Sequence, residues 1–223
     1  MRRFGLTVGG LLVATVMAIG TPATASTISY ALTIDHCTGG CGGAVATVAL
    51  DDHDATGSVD VTVTLAPSAD RFMASGLDAT FAWNLTNNVT VTTPGLPATY
   101  TLLNGGVPGA LHMDGFGTFE YGVRNNTGNG SGSSLLGPLH FSVQGTGLTI
   151  GSFASNSTGG DPNVFFAVDI YAPGTGNTGP LGGSACITCT PDEHLLATPE
   201  PASLVLLGSG LLAATRGLRR FKR

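Results

Sequence analysis

Val59, Val61, Val63 and Leu65 alternate with Asp60, Thr62 and Thr64, and this period of two constrains the fold more than any other feature of the chain. In an extended strand it puts the apolar side chains on one face and the polar ones on the other. Wound into a helix, the same residues would spread around the whole circumference. The alternation recurs at Leu77, Ala79, Phe81, Trp83 and Leu85, at Leu139, Phe141 and Val143, and at Val164, Phe166, Val168 and Ile170. Residues 29–35, 44–50 and 116–123 read as further strands. Turn-forming clusters separate them at 54–57, 94–95, 104–106, 125–134, 156–163 and 174–183. Many short strands, such turns and no long helical pattern predict an all-β fold: a single β-sandwich, jelly-roll-like, over residues 26–198. That span is long enough to bury a hydrophobic core of its own.

The same span holds two basic residues, Arg71 and Arg124, against thirteen acidic ones, a formal charge of −11 with no lysine. The whole-chain value of −5 conceals this, because the other seven Lys and Arg sit at the two ends. An acidic surface repels phosphate backbones, which argues against a nucleic-acid partner and for solubility and attraction of cations.

Both ends read as addresses. Arg2 and Arg3 form a basic start, an apolar stretch follows from Phe4 to Ile19, and Ala23-Thr24-Ala25 satisfies the small-x-small rule for signal peptidase. Cleavage after Ala25 leaves Ser26 as the first residue, so residues 1–25 are expected to be a signal helix for the export machinery, by the general secretory route. At the other end, Pro199-Glu200-Pro201 precedes an apolar run over 202–215 and then five cations, Arg216, Arg219, Arg220, Lys222 and Arg223. Fourteen residues give roughly 21 Å of helix against a hydrocarbon core of about 30 Å. The expectation is a short inner-membrane helix, extended by a snorkelling Arg216, with its cationic end held on the cytoplasmic side. Pro201 suits a first helical turn, and Glu200 the positive end of the helix dipole.

Pro-Glu-Pro, a short apolar helix containing Leu206-Leu207-Gly208-Ser209-Gly210-Leu211-Leu212, and an Arg-rich end resemble the PEP-CTERM sorting signal of Gram-negative bacteria. The resemblance covers residues 198–223. It implies recognition by an exosortase, a membrane-embedded cysteine transpeptidase-like enzyme that cleaves near Pro-Glu-Pro and passes its substrate to the cell surface or an exopolysaccharide matrix. Pro199, Glu200 and Pro201 are then the recognition motif, and Arg216, Arg219, Arg220, Lys222 and Arg223 the stop signal. In style, though in no defined site, residues 26–198 resemble the β-rich modules that accompany this signal.

Four cysteines form two close pairs, Cys37/Cys41 and Cys186/Cys189. In an exported chain they read as disulfides. Three pairings are open, of which two local bridges are preferred to cross-links between the ends of the domain. A zinc site would need both pairs to meet as thiolates and lacks a histidine at ligand spacing.

Catalytic motifs are weak. Asp114 and Glu120 are a candidate acid/base pair for glycoside hydrolysis, and Asp51-Asp52-His53-Asp54 lacks the spacing of a calcium loop. Trp83, Tyr100, Tyr121 and Tyr171 are candidates for stacking on sugars, although Trp83 sits in an apolar alternation and reads as core. No cofactor motif is recognised. The expected protein is non-catalytic, at the cell surface or in the extracellular matrix, and associated with exopolysaccharide. The alternatives are a carbohydrate-binding module and, behind it, a secreted glycoside hydrolase.

Overall fold

The structure, a computed structural model, describes residues 27–52, 57–75, 78–104 and 111–189. The two terminal segments that carry the export and sorting readings lie outside these residues. The described residues form sixteen strands: β1 (Thr27–Leu32), β2 (Ile34–Asp35), β3 (Val45–Asp51), β4 (Ser58–Ala66), β5 (Arg71–Phe72), β6 (Phe81–Trp83), β7 (Tyr100–Leu103), β8 (Leu111–Met113), β9 (Gly117–Phe119), β10 (Tyr121–Asn125), β11 (Leu135–Leu136), β12 (Leu139–Gln144), β13 (Thr158–Gly159), β14 (Phe166–Ala172), β15 (Asn177–Gly183) and β16 (Ala185–Cys186). Two short 3-10 turns accompany them, and the described residues contain no α-helix.

All the strand pairs are antiparallel. A five-stranded sheet runs β12-β4-β3-β1-β16, an eight-stranded sheet is centred on β14, and a small third sheet runs β13-β9-β8. The period of two dictates the faces. In β4, Val59, Val61, Val63 and Leu65 point inward. In the neighbouring β12, Leu139, Phe141 and Val143 do the same. Their outward partners pair across the strands: Thr62 Oγ1 lies 2.9 Å from His140 Nδ1, and Ser142 Oγ donates to Asp60 Oδ1 at 2.5 Å. The inward face meets the eight-stranded sheet through rings, with Phe141 5.8 Å from Trp83 and Tyr30 5.2 Å from Phe166 between centroids.

The eight-stranded sheet departs from simple alternation. Every residue of β6 is buried, and so are six of the seven in β14. Phe81, Trp83, Phe166, Val168 and Ile170 face the main core, whereas Ala82 and Ala167 belong to a second cluster with Phe116, Phe119, Leu111 and Met113. The small third sheet therefore covers the far side of the central strands. Small residues on that side allow the approach: a Cβ at Gly182 would stand 2.6 Å from the Phe116 ring. Thr80 and Asn84, polar positions of the predicted 77–85 strand that ought to face solvent, are buried for the same reason. Asn84 stays satisfied by donating to Asn156 O and accepting from Glu120 N–H, both at 2.7 Å.

One turn expectation is corrected. Residues 177–183, read as part of a glycine-rich turn, form β15, paired residue for residue with β14 from Ala172–Asn177 to Phe166–Gly183. Its glycines mark a crowded strand: a Cβ on Gly183 would lie 2.1 Å from Ala31 O.

Candidate functional site

Pro199, Glu200 and Pro201, the cations Arg216, Arg219, Arg220, Lys222 and Arg223, and the cleavage residues Ala23, Ala25 and Ser26 all lie outside the described residues, as does the expected helix over 202–215. Among the described residues no helix is long and apolar enough to cross a membrane.

The cysteines are described, and they form two local disulfides, Cys37–Cys41 and Cys186–Cys189. The first closes a tight loop around Asp35, whose two carboxylate oxygens accept the N–H groups of Cys37 at 2.8 Å and Cys41 at 2.7 Å. Asp35, Cys37 and Cys41 cluster closely enough to suggest metal ligation. The disulfide occupies both sulfurs and the amides occupy the carboxylate, so this cluster is a structural clamp.

The sugar-stacking candidates lie mostly inside. Trp83, Tyr100 and Tyr121 are buried, Tyr171 is half-buried, and desolvation pushes the Tyr100 hydroxyl up to about 12. Asp114 stands on the exposed turn after β8, and Glu120 sits between β9 and β10. Only Asp114 borders the cleft described next.

That cleft has a volume of about 100 Å³ and gathers side chains far apart in the chain: His36, Ser75, Asp78, His112, Asp114 and Asp169. Asp169 is its floor. The period of two in β14 turns Val168 and Ile170 toward the main core and Asp169 the other way, to the rim of the second apolar cluster. The residue is 4% exposed. Its Oδ2 accepts the Ser75 hydroxyl at 2.7 Å, and its Oδ1 is buried without a partner. His36 is held by stacking on Phe116, 4.3 Å between ring centroids, and by its backbone N–H bond to Pro180 O at 3.1 Å. Gly115 makes room for that imidazole: with φ at +80°, it would place a Cβ 1.7 Å from His36 Nδ1. His112 Nδ1 lies 3.6 Å from Asp114 Oδ1 at the mouth. Sequence inspection did not single out Asp169, because one acid inside an apolar alternation looks like a strand's edge.

Desolvation raises the Asp169 carboxyl to about 7, with the hydrogen bond from Ser75 opposing, Asp114 and Asp78 adding repulsion and the backbone N–H of Ile170 opposing more weakly. The sign follows from linkage. A carboxyl raised in the folded state favours the fold while protonated, and that contribution is lost as pH climbs from about 4 through about 7. Asp169→Asn is therefore expected to stabilise the protein at pH 8 by about 2–4 kcal/mol and to change little at pH 4. Urea denaturation at the two pH values measures this, and an equal effect at both would refute it.

Comparison with known proteins speaks to the C-terminal end. No curated protein and no solved structure gives a significant match to the chain. Residues 197–220 match the PEP-CTERM protein-sorting motif. With Pro199-Glu200-Pro201 and the basic residues inside or beside that match, the chain carries a PEP-CTERM sorting motif, which implies an exported protein handled by an exosortase.

Proposed function

We propose that this chain is an exported, non-catalytic protein of the cell surface or extracellular matrix, sorted and processed by an exosortase and associated with exopolysaccharide. The observation that carries the reading is the PEP-CTERM motif at residues 197–220. In this reading signal peptidase removes residues 1–25, and the apolar run over 202–215 holds the domain at the inner membrane with its bulk in the periplasm. Processing near Pro199-Glu200-Pro201 then hands it outward. In this reading the cargo, residues 26–198, is built around a β-sandwich formed by the described residues between 27 and 189. Its two large sheets pack face to face, and the chain crosses between them repeatedly, as from β1 to β2 and from β4 to β5, in the jelly-roll manner.

Two features support a structural role over catalysis or sugar binding. The aromatic side chains best suited to stacking on a sugar ring, Trp83 and Tyr121, are spent on the core. The surface is strongly acidic and its strands are clipped by two disulfides, which suits a durable solvated module outside the cell. Intact-mass measurement of the surface fraction tests the reading. The expected product begins at Ser26 and ends near Pro199-Glu200-Pro201, and a surface species still carrying Arg223 would reject C-terminal processing.

A further inference from the structure

We propose that the Cys186–Cys189 bridge is a thiol–disulfide exchange site, opened by a protein dithiol while the domain stays folded, with Cys189 the sulfur attacked and Cys186 the sulfur released. This goes beyond the sorting reading and does not depend on it.

The two bridges have opposite surroundings. Cys37 and Cys41 are buried, Cys37 Sγ lies 3.6 Å from Gly179 O, and an Asp35 carboxylate oxygen stands within 4.8 Å of both sulfurs. Opening that bridge would create a thiolate beside a carboxylate and away from water, and both disfavour the charge. Cys186 and Cys189 are half-buried, with exposed Ile187 and Thr188 between them, and Cys186 lies on a two-residue strand at the sheet's edge. A dithiol can reach them there, and accessible bridges are the ones that exchange. The backbone adds direction. The Cys189 N–H donates to Cys186 Sγ at 2.9 Å. An amide aimed at a sulfur favours its thiolate, which makes Cys186 the better leaving group.

The exchange balances with the dithiol as its only co-reactant. One thiolate of the dithiol attacks Cys189 Sγ, the S–S bond breaks, and its electron pair goes to Cys186 Sγ under the Cys189 N–H. The second thiolate then attacks the dithiol's own sulfur in the mixed disulfide and releases Cys189. Two electrons pass to the chain, the dithiol becomes a disulfide, and its two protons end on Cys186 and Cys189. Bonds that do not involve the bridge hold the segment in place throughout. Ile187 N–H donates to Ser29 O at 2.7 Å, and Thr188 Oγ1 accepts the Ser29 N–H at 2.9 Å.

The test uses the full-length chain in detergent, titrated with dithiothreitol without denaturant, quenched by alkylation and mapped by peptide mass spectrometry. Cys186 and Cys189 are expected to be labelled at a dithiol concentration roughly tenfold or more below the one that opens Cys37–Cys41, with near-ultraviolet circular dichroism unchanged. A thioredoxin lacking its resolving cysteine should be trapped as a mixed disulfide on Cys189. Single-thiol variants read the direction. Cys189→Ser keeps the amide at position 189, so at neutral pH iodoacetamide should label its Cys186 roughly five- to tenfold faster than it labels Cys189 in Cys186→Ser. An exposed bridge with a purely structural role would show no such asymmetry. Both bridges opening together, capture on any cysteine but Cys189, or equal alkylation rates would overturn the proposal. The titration and the trap use the unaltered chain, so they report even where a variant fails to fold. No result bears on C-terminal processing.

Discussion

Replacing Trp83 with Ala is expected to remove about 3–5 kcal/mol of stability, roughly a fifth or more of the 5–15 kcal/mol a domain ordinarily has. Trp83 is fully buried on β6, where three rings enclose it: Phe81 at 5.6 Å, Phe141 at 5.8 Å and Tyr121 at 6.0 Å between centroids. Phe141 belongs to the opposing five-stranded sheet, so the indole joins the two sheets. Removing it leaves a cavity that stiff strands on both sides cannot collapse to fill. Tyr121 loses its stacking partner as well, although its hydroxyl still donates to Val89 O at 3.0 Å. Trp83→Phe provides the contrast. The indole Nε1 is buried without a partner, so a phenyl ring discards an unsatisfied donor while keeping most of the volume. That variant is expected to lose about 1–2 kcal/mol. Denaturant titrations of the two should differ clearly; a Trp83→Ala protein within 1 kcal/mol of the parent would contradict the packing described.

The second large effect concerns location. Changing Arg219, Arg220, Lys222 and Arg223 together to Ser should reduce the membrane-retained fraction several-fold, because the apolar run over 202–215 then has only Arg216 to stop it. Each Arg or Lys at the bilayer centre costs about 2.5–3.5 kcal/mol on insertion scales, so four of them form a barrier that a run of fourteen residues cannot overcome. Serines impose almost none. Fractionation of cells expressing the variant, followed by immunoblotting, measures the outcome. Unchanged membrane retention would show that the cations are not the stop. The fold over residues 27–189 should be untouched, which circular dichroism of the variant can verify.

Much of the architecture was legible before any coordinates. The strand at 59–65 emerged as β4, 139–143 as β12, and 44–50 as β3, each with its alternate residues inward. These strands lie in a sheet with one packed face, where period and burial coincide. The 77–85 segment shows where that reasoning stops. Its large residues face one core and Ala82 a second, so both faces are covered and only Phe81–Trp83 pairs as a strand. The 174–183 stretch misled for a related reason: glycine signals a turn in isolation, but here it signals crowding between neighbouring chains.

The cleft was not legible at all. Ser75, Asp78, Asp114 and Asp169 are ordinary polar residues in turns and strands, and nothing local separates them from the other acids of an acidic domain. Strand pairing alone makes them neighbours. Antiparallel register puts β5 and β15 on either side of β14, and the small third sheet lays the turn after β8 against the same rim. By contrast, side-chain period, charge balance and the C-terminal sorting motif are local properties, each readable within one segment. So the order of residues settled that this chain is β-rich, acidic and marked for export. The tertiary structure decided which faces are doubly covered and which carboxylate oxygens are buried without a hydrogen bond, because both depend on contacts between segments far apart in the chain.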